Sequence, residues 1–443
     1  MLAQNQEIQR VIDAFVTRAP DGAALQALEP LLRQAFFSSA RELFQQLLQQ
    51  AADRIDAEYQ VPPGLHCKGR TTIAIQCMFG WCELTRNYYY RPAEQRGHCP
   101  VDAALALEGG ATPALFRLVC LEGADEASFQ KAQEHLKETG GIEVPARQIQ
   151  RALQRIGPAA QAWPERDAPP EACDAQIMYV SGDGTGVPMR RKELAGRKGK
   201  QPDGSAKTRQ VYLACVFTQH TRDAEGHPIR DHQSTSYLST FAPIAEFGLL
   251  MRKDARRRGS GTAGKIILLL DGALGLENHG KINFPGALQI VDFYHAVEHL
   301  KELLEALFGK GHPDVKKLLG QWKRWLLRDR VQKIIDLAKE QSRGRAGEEK
   351  VTQALHYFEH NVERMQYGTY RQLGYFIGSG VVEAGCKTLI GGRCKQSGMF
   401  WTRPGAQSVL ALRCIRASRQ WDTFWQNRAN EHAARNDTLA LAA

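Results

Sequence analysis

The sequence lacks the features of secreted, disulfide-stabilised and membrane proteins. Its ten cysteines are scattered along 443 residues and none forms a Cys-x-x-Cys pair, so reduced thiols are expected rather than a disulfide framework. No apolar run approaches the roughly 18 residues that a membrane-spanning helix needs. The first residues, MLAQNQEIQRVIDAF, mix polar and acidic residues with apolar ones and do not predict a signal peptide. These absences predict a cytoplasmic protein.

Acidic residues are also in the minority. Asp and Glu number 48 against 58 Lys and Arg, which gives a net charge of +10 and a pI of about 9.1. A basic balance of this size favours a polyanionic partner such as nucleic acid, although charge alone does not specify one. At 443 residues a single hydrophobic core is not expected, and the chain should divide into two or three domains.

Three acidic residues stand in settings that suit a divalent-metal site. Asp183 in IMYVSGDGTGV and Asp271 in KIILLLDGALG end apolar, strand-like runs, and Glu383 in IGSGVVEAGCK lies one turn into a predicted helix. Mg²⁺ takes carboxylate oxygens, and two such ions can hold the attacking and leaving oxygens of a phosphodiester. Each residue also has a simpler interpretation: the two Asp-Gly pairs as turns, and Glu383 as the partner of Lys387 across one helical turn.

Residues 1–60 predict N-terminal helices. Segments 5–17 and 30–58 have apolar residues at helical spacing, for example Leu43, Leu47 and Leu48. Three interpretations stay open for this region: packing within its own domain, binding DNA, or pairing with a second subunit.

Residues 61–110 predict a β-hairpin that resembles a degenerate zinc ribbon. Its strands are predicted at Thr71–Cys77 and Cys82–Tyr90. The pairs His66-Cys67 and His98-Cys99 flank the hairpin, but adjacent His-Cys pairs chelate poorly compared with the usual Cys-x₂₋₄-Cys spacing. Buried or idle thiols are the alternative, and zinc in this region is not expected.

Residues 111–156 predict a helix-turn-helix-like unit. A helix ending in Gly140-Gly141 is followed by a second one, VPARQIQRALQRIG, which begins with a proline and ends at a glycine. Arg147, Arg151 and Arg155 share one face of this second helix and could contact DNA; a solvated surface is the alternative. Residues 157–174 hold four prolines and predict a linker.

Beyond the linker, strands and helices alternate in an α/β pattern. We expect a first core part at 175–308, an all-helical segment at 309–375, a terminal core part at 376–425, and a tail at 426–443 that frays. The predicted strands are Gln176–Ser181, Val211–Thr218, Gln233–Ser239, Ile266–Leu270 and Ala287–Val291. The predicted helices are Pro243–Arg257, Phe293–Leu307, 313–367 and Gly378–Gly392.

Residues 176–415 resemble the catalytic domain of DDE transposases encoded by bacterial insertion sequences, within the RNase H-like superfamily. The motifs that carry the resemblance are YVSGDGTGVP, LLLDGALG followed by IVDFYHAVEHL, and GSGVVEAGCKTLIGGRCKQSGMFWTRPGAQSVLALR. Asp183, Asp271 and Glu383 match the three acidic residues of that family. Asp292-Phe-Tyr-His295 matches its Asp-x-x-His motif, and the long interval before Glu383 matches the helical insertion of some members.

The resemblance implies a mixed five-stranded sheet with helices on both faces, an all-α insertion, and a mainly helical N-terminal DNA-binding region with a small β-hairpin. It implies a bacterial protein that acts at the nucleoid, where it would cut the ends of the element and join them to target DNA. The reaction would use two Mg²⁺ or Mn²⁺ ions held by the acidic triad. His295 would orient a phosphate or a carboxylate, or else is a core histidine. A homodimer or higher oligomer on double-stranded DNA, bound to terminal inverted repeats and target, is expected.

Basic residues near the predicted site are candidates for DNA contact. One group lies in the loop after the first strand and could contact phosphates. A second group follows the Glu383 helix, where an indole could stack on a base or pack in the core. These candidates are Arg190, Arg191, Lys192, Arg197, Lys198, Lys200, Lys207, Arg209, Arg393, Lys395 and Trp401.

Two other functions remain open from the sequence. The chain could be a catalytically silent DNA-binding regulator derived from a transposase, or an RNase H-like nuclease that cuts without strand transfer. An intact acidic triad disfavours the regulator, because clustered carboxylates repel one another unless cations bind between them.

Overall fold

The computed structural model describes residues 6–17, 21–166, 170–199, 201, 204, 206–344 and 348–441. The chain divides into two compact units, one formed by residues 1–153 with 422–443 and the other by residues 154–421. Of the candidate DNA-binding residues, Lys200 lies outside the described part of the chain.

The first unit is helical around a small antiparallel sheet. Its sheet has the order β1-β2-β3, with Cys77 paired to Gly80 at the hairpin turn. Leu48 and Ala52 pack with Ile75, Leu84 and Val101 in its core. The elements are α1 (Gln6–Val16), α2 (Gly22–Glu58), β1 (His66–Cys77), β2 (Gly80–Arg91), β3 (Arg96–His98), α3 (Pro100–Ala104), α4 (Pro113–Asp125), α5 (Phe129–Gly140) and α6 (Ala146–Ala162).

Helix α2 begins eight residues earlier than the predicted segment at 30–58. Asp21 caps it, its carboxylate accepting a hydrogen bond from the Ala24 amide at 2.6 Å. A capping acceptor at this position satisfies an amide that the helix itself leaves free. The helix therefore starts upstream of Pro30 and continues through it.

The second unit is built on a mixed sheet with the order β10-β9-β4-β5-β8. The pairs β4–β5 and β5–β8 are antiparallel, and β4–β9 and β9–β10 are parallel. This confirms the predicted five-stranded mixed α/β sheet. Its elements are β4 (Ile177–Pro188), β5 (Thr208–Gln219), β6 (Thr221–Arg222), β7 (Pro228–Ile229), β8 (Ser236–Thr240), α7 (Ile244–Arg257), β9 (Lys265–Leu270), α8 (Leu274–Asn283), β10 (Leu288–Val291) and α9 (Phe293–Phe308).

Helices cover both faces of this sheet. Phe247 and Met251 of α7 pack on one face against Val180, Val216 and Leu268. Between residues 309 and 375, where the sequence predicts an all-helical segment, the described residues form several helices and no strand. The later elements are α10 (Pro313–Leu326), α11 (Val331–Ser342), α12 (Glu348–Asn361), α13 (Tyr367–Gln372), α14 (Gly380–Gly385), α15 (Gly392–Cys394) and α16 (Arg403–Ala417). The last helix, α17 (Trp421–Leu441), belongs to the first unit from Asp422 onward.

Two further sequence-based boundaries differ clearly from the structure. Strand β4 does not end near Asp183 but continues to Pro188, because β5 pairs with it along its whole length. Helix α6 does not end at Gly157 but continues to Ala162, where the sequence predicted a linker. Gly157 packs so closely on Ser408 that an added Cβ would lie 2.0 Å from the Ser408 hydroxyl oxygen. Packing on α16 thus overrides the glycine and proline signals.

The C-terminal segment is helical over most of its described length. Helix α17 runs to Leu441, whereas residues 426–443 were expected to fray. Within the first unit, Glu108 pairs with Arg428 and lies 3.3 Å from the His432 Nε2 atom. None of the helices in the described ranges is both long enough and apolar enough to cross a membrane.

Candidate active site

Three aspartates stand level at one edge of the five-stranded sheet. The last pair between β4 and β9 is Ser181 with Leu269, and Asp183 and Asp271 each lie two residues further along their strands' chains. Asp292 and Asp271 each follow directly on the last pair of β10 and β9. Neighbouring strands lie about 4.8 Å apart, so the three residues occupy adjacent backbone positions at the same level of the sheet.

Asp183 lies within a strand rather than in a turn. Asp183 pairs with Leu213 of β5, and its Oδ1 atom accepts a hydrogen bond from the Gly184 amide at 2.6 Å. An added Cβ at Gly184 would lie 2.3 Å from the Gln210 side chain, which explains the need for glycine beside this aspartate. The simpler interpretation of Asp183-Gly184 as a turn is therefore wrong.

Asp271 does sit in a turn, directly after β9. Its Oδ1 accepts from the Ala273 amide at 2.9 Å, and Gly272 has a φ of +83°, which favours glycine. The hydroxyl of Tyr357 on α12 donates to the Asp271 main-chain oxygen at 3.1 Å. The helical insertion thus contacts the turn that carries this carboxylate.

Asp292 connects the two helices that carry His295 and Glu383. Its side chain is fully buried, and its Oδ1 caps α9 by accepting from the His295 amide at 2.7 Å. Its Oδ2 accepts from the amide of Ser379, the N-cap residue of α14. The Ser379 hydroxyl in turn donates to Glu383 Oε1 at 2.9 Å. One carboxylate therefore fixes the starts of both helices.

Asp292, His295 and Glu383 form a compact group of potential metal ligands. One ligand atom from each lies within 4.8 Å of the others. Asp183 and Asp271 are not members of this group, so the side chains of the predicted triad do not all converge at that distance. Asp183, Asp271 and Glu383 are each half-buried, and His295 retains a third of its side-chain exposure with Glu298 at 3.5 Å. The site is therefore open to solvent.

The helix that carries Glu383 changes its winding one residue after α14. Cys386–Gly391 forms a π-helical segment before α15, where the sequence predicted one continuous helix at Gly378–Gly392. Cys386 lies against Asp183. Burial is the main cause that raises the pKa of the thiol, and the charge of the Asp183 carboxylate raises it further. Wide π turns are frequent at functional sites, where they re-aim the side chains around them.

A buried ionic cluster joins α8 to the insertion beside the Asp271 turn. Glu277 contacts Nε2 of His360 at 2.5 Å and Nη2 of Arg364 at 2.7 Å. Burial alone would raise the pKa of Glu277, but hydrogen bonds from Lys281 and His360 and the charge of Arg364 hold it below its ordinary value. Neither this cluster nor Tyr357 carries a sequence signal, because their partners lie more than 80 residues apart.

Several candidate DNA-binding residues lie on the surface. In the loop after β4 and at the start of β5, the described cations are exposed except Arg209, which is half-buried with Glu193 at 3.7 Å. Lys395 is exposed and donates to the Thr185 hydroxyl at 2.6 Å, two residues from Asp183 along β4. The exposed loop cations are Arg190, Arg191, Lys192, Arg197, Lys198 and Lys207.

Two of the candidate DNA-binding residues are buried, and for Trp401 this agrees with the alternative of core packing. Arg393 is fully buried, and burial lowers the pKa of its guanidinium to about 10. Its Cζ lies 5.0 Å from the ring centre of Trp401, which is itself buried and donates from Nε1 to the Cys394 carbonyl at 3.2 Å. Both side chains therefore pack in the interior and are not available to a DNA end.

The remaining candidate residues lie on α6 and around the hairpin β1–β2. Arg147, Arg151 and Arg155 are all exposed on α6, after a turn at residues 141–145. Cys67 and His98 are both cross-strand partners of Tyr89, in β1 and β3. Within the described residues, the groups of three or more clustered ligand atoms include none of His66, Cys67, His98 and Cys99.

Comparison with known proteins gives a distant relative. No protein family model matches the chain. The UPF0236 protein in the vanSb 3′ region of Streptococcus gallolyticus is 24% identical over 413 residues, covering 89% of this chain and 84% of that protein. The Drosophila P element transposase strand transfer complex aligns over 71% of this chain and 80% of its own, with 12% identity and a TM-score of 0.25. A TM-score this low does not establish a common fold.

Proposed function

We propose that this chain is a transposase-like enzyme that cuts DNA and joins the ends by metal-dependent phosphoryl transfer. The observation that carries the proposal is the level placement of Asp183, Asp271 and Asp292 on three adjacent parallel strands. Asp183 lies within β4, Asp271 and Asp292 directly follow β9 and β10, and Glu383 lies on a helix fixed to Asp292. In chain order, β4, β5 and β8 are antiparallel neighbours, and β9 and β10 then add in parallel on the other side of β4. This is also the strand arrangement of the RNase H-like superfamily.

The donor set fits a divalent cation of the hard type. Carboxylate oxygens suit Mg²⁺ and Mn²⁺, and the imidazole of His295 is compatible with Mn²⁺. Asp183, Asp271 and Glu383 are the ligands we propose, and the geometry adds Asp292 as a residue that positions Glu383. A bound cation at such a site supplies activation of a water or 3′-hydroxyl nucleophile and stabilisation of the leaving oxygen.

The protein's own residues then have defined tasks. Asp292 holds the starts of α9 and α14 together, so His295 and Glu383 keep their separation while DNA binds. Tyr357 and the α8–insertion cluster hold the Asp271 turn. The exposed cations after β4 and Lys395 would contact phosphates beside Asp183, and such contacts make affinity fall steeply with salt.

The decisive experiment is cleavage and joining of labelled DNA that carries the flanking inverted repeats, with Mg²⁺ or Mn²⁺. Wild type is compared with Asp183→Asn, Asp271→Ala and Glu383→Gln, and with Asp174→Ala as a matched control because the Asp174 side chain is 98% exposed. We expect chelator-sensitive nicking and joining in wild type and control, and loss of both in the three site variants.

Each alternative predicts a different pattern in the same assay. Nicking without joined product would favour an RNase H-like nuclease. DNA binding without cleavage in every protein would favour a regulator that has lost catalysis. Full cleavage by Asp183→Asn would refute the assignment of the site. Calorimetric titration of Mn²⁺ into wild type and Asp271→Ala, without DNA, separates a lost metal site from lost DNA binding.

A further inference from the structure

Helix α2, on which α1 packs, carries a stripe of large apolar side chains that stay partly exposed to solvent. Leu25, Leu32, Phe36, Leu43 and Leu47 recur at alternating spacings of seven and four residues. An eleven-residue repeat corresponds to about 3.67 residues per turn, close to that of a straight helix, so the five side chains form one nearly straight line. Four of them are 41–54% exposed, and Leu32 is half-buried.

The stripe is distinct from the face that α2 uses within its own unit. Leu48 and Ala52, which pack on the hairpin, lie more than about 100° around the helix from Phe36 at 100° per residue. The stripe therefore plays no part in the core of the first unit. Exposed lines of large apolar side chains along a helix are typical of a surface that pairs with another helix.

Opposite charges, Glu29 and Arg54, lie towards the two ends of the same stripe. Arg54 also contacts Glu58 of its own helix at 2.8 Å, in an exposed pair of the kind that contributes little. Glu29 and Arg54 both fall within an arc of about 60° that also contains the five apolar residues. Glu29 and Arg54 are equally far from the point between residues 41 and 42, and so are Phe36 and Leu47. A two-fold axis at that point would place each Glu29 opposite Arg54 of a second copy, and each Phe36 opposite Leu47. The stripe is therefore complementary to itself in antiparallel orientation.

We propose that α2 pairs with α2 of a second copy of this chain in an antiparallel, two-fold symmetric dimer. A two-fold interface uses the same patch on both subunits, which requires the self-complementarity found here. The stretch from Glu29 to Arg54 is about 37 Å long and a helix is about 10 Å wide, so the helices alone cover about 400 Å² on each copy. This is below the usual size of a stable interface, so the dimer should be reversible in the micromolar range.

The test is sedimentation velocity of the full chain across the micromolar range, without DNA or metal. We expect a concentration-dependent monomer–dimer equilibrium, weakened about tenfold or more by Leu43→Glu, which places like charges near the two-fold axis. Leu31→Glu is the matched control, because Leu31 is 49% exposed on the same helix but lies about 100° or more around it from every member of the stripe. Far-ultraviolet circular dichroism of each variant verifies that α2 remains folded.

Charge reversal distinguishes the antiparallel arrangement from any other. Glu29→Arg alone and Arg54→Glu alone should each weaken the dimer, since like charges then face each other twice. An equimolar mixture of the two variants should dimerise at least as well as wild type, because every facing pair in the heterodimer is then opposite in sign. The double variant should recover in the same way.

Three outcomes would overturn the proposal. The first is a strictly monomeric wild type, which would leave the stripe to a different partner. The second is an equal effect of Leu31→Glu and Leu43→Glu. The third is a mixture of single charge variants that fails to recover. Because none of these measurements uses DNA or cleavage, their outcome is independent of whether the proposed enzymatic function holds.

Discussion

Replacement of Asp292 should destabilise the second unit even without any metal, and the loss can be worked out from its contacts. Asp292→Ala removes the N-cap of α9, where Oδ1 accepts from the His295 amide at 2.7 Å. Such a loss costs about 1 kcal/mol. It also leaves the amide of Ser379, a residue only 5% exposed, without its acceptor, at about 1–3 kcal/mol. The free energy of unfolding should fall by about 2–4 kcal/mol in total.

Asp292→Asn separates the two contributions. Its carbonyl oxygen can still cap α9, but its amide group cannot accept from Ser379. This variant should therefore lose about 1–3 kcal/mol, which is the second contribution alone. The difference between the two variants then measures the cap.

Urea unfolding in the presence of a chelator is the suitable assay, because the chelator removes any role of Asp292 in metal binding. The change in free energy is taken from the midpoint shift at a shared m value. Glu302→Ala is the control, since Glu302 lies on the same helix in an exposed pair with His299 and should change stability by less than about 1 kcal/mol. If Asp292→Ala behaves like this control, the connection between the two helix starts does not contribute as argued.

Four further predictions follow from the same structure. Tyr357→Phe should slow cleavage without changing DNA affinity, since it removes a bond of about 1 kcal/mol to the Asp271 turn; single-turnover rates beside binding isotherms check this. The pKa of Glu277 is lowered on folding, so the stability it contributes is present at neutral pH and is lost as the pH falls below its unfolded value, near 4.5; unfolding curves of Glu277→Gln should show a shallower loss in acid. Arg393→Ala should lower the melting temperature while the DNA affinity of the folded protein stays constant, because Arg393 is buried; a matching loss of affinity would restore it to the DNA surface. Lys192→Gln should reduce the slope of log affinity against log salt by about 0.9 if Lys192 contacts one phosphate; an unchanged slope would remove it from the interface.

The positions of most strands and helices along the second unit were accessible from the sequence, and so were two aspartates that follow or end apolar runs. The apolar run KIILLL predicts a buried strand, and the Asp-Gly that follows it predicts a turn at its end. Both features are local, since they depend on residue type and spacing within a few positions. The same holds for the helices α7 and α9, whose predicted bounds agree with the structure within one residue.

Glycine-rich and proline-rich segments were the ones that local signals misjudged. Gly184 beside Asp183 predicts a turn, but the side chain of Gln210 on β5 occupies the space next to it and the strand continues. Gly157 and Pro158 predict the end of α6, but the helix packs on Ser408 at Gly157 and continues to Ala162. In both cases a partner distant in sequence determines the conformation.

The roles of Asp292, Tyr357, Arg393 and Trp401 depended on the tertiary structure alone. By itself the sequence determined which residues have the chemistry of a metal site, because carboxylates after apolar strands are visible as a local pattern. It could not determine that Asp292 holds two helices together, or that Arg393 and Trp401 are buried against each other. Burial and hydrogen bonding of these side chains come from elements far apart in the chain, and only folding brings those elements into contact.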